Sequence, residues 1–210
     1  MGALDGFCVD LENLRQSVAS ACQQHGVSTV AVLGQVRGAG ASTVTWQLAR
    51  SLARADQQVT AVDANFARPA LTGFAGLPPA PGLRDALADP AAAAAAPRMI
   101  VGLPGLGLVG AGTHPAPKAA LAIGRWRSLL AAIPQRAPLT LIDAGDGHDP
   151  QALAVAAAAG AVVVVVPAAR VRWQAVASTV ARLRAHDATV LGVVLNRRRF
   201  DLPGFLYHSV

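Results

Sequence analysis

The sequence predicts an α/β fold with a mainly parallel sheet and helices on both faces. Short strands that are apolar throughout alternate with segments of helical periodicity, and a parallel sheet between two helical layers buries such strands on both sides. With 53% hydrophobic and 14% charged residues, the chain is far from the composition of a disordered protein. Its length of 210 residues suits one main domain.

The elements follow from apolar periodicity and from the positions of glycine and proline. Helical patterns occupy residues 9–24, 42–55, 83–87, 119–133, 150–159 and 171–186, and strand patterns occupy 28–33, 58–62, 99–103, 139–142, 162–166 and 189–195. Residues 104–117 are rich in glycine and proline and are predicted to form an irregular loop. The resulting division is an N-terminal helical segment (1–27), the α/β domain (28–199) and a C-terminal tail (200–210).

The apolar run 152–169 is nearly long enough to span a bilayer. Gly160 interrupts it and Pro167 ends five consecutive valines, which favours an alanine-rich helix, a glycine stop and a buried strand. The first 26 residues lack the basic and apolar regions of a secretory signal, so a cytoplasmic protein is expected. The net charge of +6 is compatible with anionic lipid, nucleic acid or an acidic partner and does not choose among them.

A glycine-rich segment between a predicted strand and a predicted helix is a candidate phosphate-binding loop. Its glycines allow backbone N–H groups to approach phosphates, and a helix N-terminus attracts anions. A working loop carries a lysine before the hydroxyl residue, and here Ala41 occupies that position. An ordinary tight turn between strand and helix is the alternative. The predicted nucleotide contacts in the loop are Arg37, Gly38, Ala39, Gly40, Ala41, Ser42 and Thr43.

Two aspartates follow predicted strands in the same way. Asp63 ends the second strand and Asp143 follows the strand at 139–142. A carboxylate at the carboxyl end of a parallel strand beside such a loop is suited to hold Mg²⁺ or its bound water. Ser42, Asp63 and Asp143 are therefore the candidate metal residues, and the two aspartates are the candidate catalytic residues of an active enzyme. Either aspartate by itself is more typical of a helix cap, and it is the two in this order after the loop that favour a metal site.

These motifs resemble those of the bacterial tyrosine kinases of capsule and exopolysaccharide systems, within the MinD/ParA-like superfamily of P-loop NTPases. The resemblance is carried by residues 62–71, 74–77, 81–87, 110–117, 142–143 and 190–196, and so covers nearly the whole chain. It implies ATP or ADP with Mg²⁺ as the cofactor and Asn196 as an adenine contact. It also implies an inner-membrane polysaccharide co-polymerase or synthase component as the partner, and a position at the inner face of the cell membrane.

The chain departs from the family pattern at its catalytic parts. Ala41 replaces the lysine, Asn65 replaces the second acid of an Asp-x-Asp motif, and residues 144–146 (Ala-Gly-Asp) stand where Pro-Pro is usual. The tyrosine-rich tail is reduced to Tyr207. Since loss of one cation from the phosphates lowers the rate by on the order of a hundredfold, a catalytically degenerate protein is expected, with nucleotide binding weak or absent. Arg37 is the one loop residue that offers a replacement cation.

Other segments bear on partners. Glu12 and Arg15 are similar to the start of the family's Glu-x-x-Arg-x-x-Arg helix, which supports ring formation, but the second arginine is Val18; a plain surface ion pair is the alternative. Arg197 to Arg199 precede an apolar tail and form either a solvated face or a peripheral membrane or partner contact. Trp126 and Trp173 are predicted to pack helices onto the sheet.

Two other functions remain open at this point. One is an active ATPase or protein tyrosine kinase of the same pathway. The other is a MinD/ParA-like positioning protein or a cellulose-synthesis accessory protein. Nucleic acid is not an expected partner under the leading interpretation, and a homo-oligomer is compatible with all three.

Overall fold

A twisted sheet lies at the centre of the computed structural model, which describes residues 8–89, 96–116, 122–133, 137–168 and 173–196. Within these ranges the strands are β1 (Thr29–Gly34), β2 (Val59–Asp63), β3 (Arg98–Ile100), β4 (Leu103–Val109), β5 (Leu139–Asp146), β6 (Ala161–Pro167) and β7 (Thr189–Asn196). The helices are α1 (Cys8–His25), α2 (Ala41–Arg54), α3 (Leu71–Phe74), α4 (Leu83–Ala88), α5 (Ile123–Ala131), α6 (Pro150–Ala159) and α7 (Trp173–Arg184).

The strand order is β3-β4-β2-β5-β1-β6-β7. All neighbouring pairs are parallel except β3 and β4, which are antiparallel. Successive residues of the central strand β1 face opposite sides: Val30 packs in the core with α2, whereas Ala31 and Leu33 pack in the core with α5 and α6. The predicted α/β class, a mainly parallel sheet with helices on both faces, is confirmed.

The apolar run after residue 150 folds as its sequence predicts. Helix α6 ends at Gly160, which adopts a left-handed conformation with φ of 81°, and β6 follows with every residue buried. Among the helices that the structure describes, none is long and apolar enough to cross a membrane.

Strand β4 corrects the prediction of an irregular loop from residue 104. The strand pairs in parallel with β2, although it contains Pro104, Gly105 and Gly107. A Cβ atom at Gly105 would lie 2.8 Å from the carbonyl oxygen of Gln57, and one at Gly107 would lie 2.9 Å from the Cβ atom of Pro97. The glycines thus allow neighbouring chain segments to approach closely, a tertiary requirement that composition alone presents as a loop signal.

The N-terminal helix α1 packs against the same layer as α2. Val18 is buried, and Leu14 and Cys22 are packed against its core cluster. On the opposite layer Trp126 is fully buried and its ring centroid lies 5.3 Å from that of Phe66. The prediction for Trp173 is wrong, because this first residue of α7 is 75% exposed and the helix is buried through residues further along it.

Candidate functional site

The glycine-rich segment leads directly from β1 into α2. Helix α2 has Gly40 as its N-cap, no acidic residue in its first turn and no side-chain hydrogen bond at the cap among the described residues. The N–H of Val44 donates to the carbonyl oxygen of Gly40 at 2.9 Å. The N–H groups of Ala41, Ser42 and Thr43 therefore have no partner within the helix. They lie at the positive end of the helix dipole, where an anion is favoured.

The shape of the loop depends on two glycines and on Asn196. Gly38 and Gly40 have φ values of +76° and +96°, which are strained for other residues. A Cβ atom at Gly40 would collide with the side-chain nitrogen of Asn196. That nitrogen, Nδ2, donates to the carbonyl oxygen of Ala39 at 2.8 Å, and the side chain is only 4% exposed. The structure thus places Asn196 against the loop backbone, where it ties the end of β7 to the loop.

The loop forms one wall of a cavity of about 480 Å³. Every loop residue predicted as a nucleotide contact, from Arg37 to Thr43, lines it. Ala41 has its methyl group in a small apolar cluster with Val32, Val44 and Val165. Further lining residues come from the segment between β2 and α3 (Asn65, Ala67, Arg68, Ala70, Phe74) and from the segment between β5 and α6 (Gly145, Asp146, Asp149).

Asp63 and Asp143 lie side by side behind this cavity. They are paired in the parallel register of β2 and β5, so their backbones are about 5 Å apart. Both are fully buried. Oδ2 of Asp63 accepts hydrogen bonds from the N–H groups of Ala70 and Leu71, each at 2.9 Å, which anchors the start of α3.

One oxygen of each carboxylate lacks an ordinary hydrogen bond. Oδ1 of Asp143 accepts from the N–H of Gly145 at 3.1 Å, whereas Oδ2 of Asp143 and Oδ1 of Asp63 accept no hydrogen bond of ordinary length and angle within the described ranges. Asn65, and for Asp143 also Ser42, contact the two carboxylates with less favourable geometry. Buried unpaired oxygens are costly, so this edge of the sheet favours a proton or a cation. The candidate metal residues Asp63 and Asp143 are thus together.

Burial sets the protonation of the pair. Burial raises the pKa of Asp63 to about 7, and the nearby negative charge of Asp143 adds to the rise. Burial likewise raises the pKa of Asp143 to about 6, although the hydroxyl of Ser42, the N–H of Gly145 and the side chain of Asn65 oppose it. Ser42 therefore links Asp143 to the cavity that it lines.

The described residues contain no group of three or more His, Cys, Asp or Glu side chains suited to a metal. A divalent cation here would need oxygen ligands of other kinds. Mg²⁺ commonly takes one or two carboxylates and completes its shell with hydroxyl, water and phosphate oxygens. Ser42 and the unpaired carboxylate oxygens fit that pattern, provided a phosphate supplies the remaining ligands.

Sequence reasoning did not select Asp146 and Asp149 as site residues. The segment that carries them turns at Gly145, whose φ is +85° and whose Cβ would lie 2.8 Å from Cγ of Asn65. Oδ1 of Asp146 accepts from the N–H of His148 at 3.0 Å, and Asp149 caps α6 by accepting from the N–H of Gln151 at 2.9 Å. The sequence signal that could have identified Asp146 is its position as a second acid three residues after Asp143.

The motif at 81–87 is structural. Asp85 accepts hydrogen bonds from the N–H of Gly82, from the N–H and hydroxyl of Thr113 and from the N–H of His114, at 2.8 to 3.1 Å. Arg84 donates to the carbonyl oxygens of residues 111 and 112. These contacts fasten the N-terminus of α4 to the segment after β4, outside the cavity.

Glu12 and Arg15 form an exposed ion pair on α1, joined by a hydrogen bond from Nε of Arg15 at 3.0 Å. This agrees with the plain surface pair. Lys118, Arg197 to Arg199 and Tyr207 lie outside the described residues.

No protein-family model and no curated protein matches this sequence. Solved structures share its fold. The kinase domain of the Escherichia coli tyrosine kinase ETK matches with a TM-score of 0.77 and 21% identity, over 92% of this chain and 78% of that one. The VpsO kinase domain matches with a TM-score of 0.74 and 20% identity, over 94% of this chain and 100% of that one.

MinD from Pyrococcus horikoshii OT3, solved as its complex with Mg-ADP, matches with a TM-score of 0.68 and 18% identity, over 86% of this chain and 75% of that one. At these identities the likeness concerns the fold, which is the P-loop α/β fold of tyrosine-kinase domains and MinD ATPases.

Proposed function

We propose that this chain, whose fold is that of bacterial tyrosine-kinase domains and MinD ATPases, is a catalytically degenerate P-loop protein that binds Mg-nucleotide weakly. The single observation that carries the proposal is the cavity lined by residues 36–43, in which Ala41 stands at the lysine position and packs its methyl group among apolar side chains. The backbone donors of the loop are retained, and the side-chain cation is not.

Each residue of the site has a separate proposed role. The N–H groups of Ala41, Ser42 and Thr43 bind phosphate oxygens at the start of α2. Ser42, backed by Asp143, orients a cation, and Asn196 holds the loop backbone in place through Ala39. Mg²⁺, when bound, supplies charge neutralisation to the phosphates. With Ala41 in place of lysine, transition-state charge on a transferred phosphoryl group has no side-chain cation at this position, so turnover is lost while binding persists.

The role we propose is regulation of exopolysaccharide or capsule synthesis or export. The support is the resemblance of residues 62–87 to capsule and exopolysaccharide tyrosine kinases, together with the fold likeness to tyrosine-kinase domains. The partner is an inner-membrane polysaccharide co-polymerase or synthase component, and the protein acts at the cytoplasmic face of that membrane. Co-purification with membranes that contain this partner, and not with membranes that lack it, tests the docking.

Calorimetry with ATP and ADP, with and without Mg²⁺, tests the nucleotide site. The variant Ala41→Lys restores the missing cation and should raise nucleotide affinity by about tenfold or more. Ala185→Lys adds the same charge at an exposed position and should leave affinity unchanged. Equal affinity in wild type and Ala41→Lys contradicts a decayed P-loop.

An active ATPase or tyrosine kinase is a second candidate. The observation that favours it is the retention of Ser42 beside the buried Asp143, the pair that orients Mg²⁺ in the first proposal. Mg²⁺-dependent ATP turnover by the wild type that disappears in Asp143→Ala would establish it. Absence of turnover in the wild type at saturating ATP would exclude it.

A MinD/ParA-like positioning protein is a third candidate, favoured by the fold likeness to MinD. The same fold likeness is compatible with a cellulose-synthesis accessory protein. Sequence-independent DNA binding that weakens steeply with salt would support a ParA-like role.

A further inference from the structure

The charged side chains that line the cavity cancel one another. They are Arg37 and Arg68 on one hand, and Asp146 and Asp149 on the other. The loop adds N–H and hydroxyl donors without charge. Among the residues that the structure describes, the wall therefore offers hydrogen bonds to phosphate but no net positive charge, so each further phosphate is held less favourably than in a site with a lysine.

The backbone of Asp146 lies beside Gly34, the last residue of β1 before the loop. It pairs with Gly34 in the parallel register of β1 and β5, and the N–H of the next residue, Gly147, donates to the carbonyl oxygen of Gly34 at 2.7 Å. Its side chain is 31% exposed, and Oδ1 is held by the N–H of His148. The backbone of Asp146 is thus fixed beside the loop, and Oδ1 of its carboxylate also contacts Nδ1 of His148 at 3.2 Å.

Asp149 differs from Asp146 in having a structural task. Its Oδ1 accepts the N–H of Gln151 and caps α6. Asp146 has no comparable task in a helix, and its hydrogen bonds come from its own turn. The carboxylate of Asp146 therefore caps no helix, and it lines the cavity that would hold the anion.

We infer that Asp146, beside a loop whose lysine position holds Ala41, makes this cavity select nucleoside diphosphates over triphosphates; the inference rests on the proposed nucleotide function. The backbone cradle of a P-loop holds the inner phosphates, and the lysine reaches the outer ones. Here the outermost phosphate of a triphosphate gains no cation from Ala41, and the charges of Arg37 and Arg68 in the cavity are offset by those of Asp146 and Asp149. A diphosphate lacks that additional charge.

The test is calorimetric titration of the full chain with ADP and with ATP at fixed free Mg²⁺ and at pH 8, above the ordinary titration range of histidine. The wild type should bind ADP about three- to tenfold more tightly than ATP, as expected for one like-charge contact at a partly exposed site. Asp146→Asn should raise ATP affinity by the same factor and ADP affinity by less. Asp149→Asn keeps a good helix cap and should change the ratio less.

The matched control is Asp56→Asn, which removes the same charge at an exposed residue with φ of 57°, a conformation that asparagine tolerates. It should leave both affinities unchanged. Binding of both nucleotides with equal affinity in wild type and Asp146→Asn overturns the inference and leaves the proposed function standing. Weaker binding of both in Asp146→Asn, seen only with Mg²⁺, also overturns it, because it makes Asp146 a metal ligand. Failure of both nucleotides to bind overturns the proposed function and the inference together.

Discussion

At the scale of single residues, hydrogen bonding stabilises the charged forms of Asp63 and Asp143, whereas burial destabilises them. The first oxygen of each is used by the backbone, at Ala70 and Leu71 for Asp63 and at Gly145 for Asp143, and the second lacks an ordinary hydrogen bond among the described residues. Since both side chains are fully buried, the protein holds the charged pair at a cost in stability.

The first prediction concerns pH. The pKa of Asp63 is raised to about 7 from 3.8, so the folded state binds this proton more tightly than the unfolded state does. Its contribution to stability is full below about pH 4 and is lost as pH rises through 7. Denaturant unfolding in EDTA should therefore show a free energy of unfolding about 2 kcal/mol lower at pH 8 than at pH 5.

Asp63→Asn should reduce this pH dependence, because the amide does not titrate and can donate towards Asp143; the remainder comes from Asp143, whose pKa is raised to about 6. Asp56→Asn, on the surface, should retain the wild-type slope. A slope of the opposite sign in the wild type, with stability rising from pH 5 to pH 8, would contradict the assigned protonation.

The second prediction concerns Gly40 and Asn196. In Gly40→Ala, alanine must adopt the φ of +96° that glycine holds there, and its Cβ atom collides with Nδ2 of Asn196. In Gly38→Ala, alanine must also adopt a positive φ, but nothing lies within 4 Å of its Cβ atom. Thermal or denaturant unfolding should show Gly38→Ala destabilised by about 1 kcal/mol and Gly40→Ala by about 2 kcal/mol or more. The double variant Gly40→Ala/Asn196→Ala should be more stable than the sum of the single changes implies. If the changes in unfolding free energy were strictly additive, Gly40→Ala would not be destabilised by a clash with Asn196.

At the scale of elements, Asp85 joins α4 to the segment that follows β4. Partial burial by itself raises the pKa of Asp85, but hydrogen bonds from Gly82, Thr113 and His114 outweigh it and lower the pKa below its ordinary value. The stability that Asp85 contributes is therefore present above the ordinary carboxyl range and lost as pH falls through the lowered pKa. It stays constant over the pH interval in which Asp63 titrates.

The third prediction is that Asp85→Ala lowers the free energy of unfolding by about 2 kcal/mol at pH 7, since several donors lose a charged acceptor. Asp85→Asn should lose less, because one oxygen remains. Hydrogen exchange of the N–H groups of Thr113 and His114 should rise in both variants. Asp187→Asn, an exposed left-handed position, is the control. Unchanged exchange in Asp85→Ala would show that the segment is held by other contacts.

At the scale of the whole molecule, α1 packs onto the same layer as α2. Val18 is 3% exposed, and the cluster that contains it includes Val30 of β1 and Trp46 of α2. Removal of α1 would expose this side of the core to water.

The fourth prediction is that deletion of residues 1–26 lowers the free energy of unfolding by about 2 to 4 kcal/mol, from the loss of one or two buried apolar side chains. Denaturant unfolding measures it, and deletion of residues 1–7, which leaves α1 complete, is the control. An unchanged denaturant midpoint in the longer deletion would show that α1 does not contribute to the stability of the core.

The sequence by itself determined the fold class, the positions of most helices and strands, and the loop with Ala41 in the lysine position. These follow from local signals: apolar period, glycine stops, and the order of the loop and the strand-terminal aspartates along the chain. The wrong assignments came from residues whose role depends on distant neighbours. Composition marked residues 104–109 as loop, but β4 forms because Gly105 and Gly107 allow close approach of Gln57 and Pro97.

Only the tertiary structure decided which predicted site residues meet and what surrounds them. It brought residues 37–43 to one cavity, set Asp63 and Asp143 behind it, placed Asn196 against Ala39, and added Asp146 and Asp149 to the wall. It also left Trp173 exposed while burying Trp126. Burial, strand register and hydrogen bonds between residues as far apart as Ala39 and Asn196 arise only when the sheet is assembled, because they depend on packing in space and not on neighbouring positions in the chain.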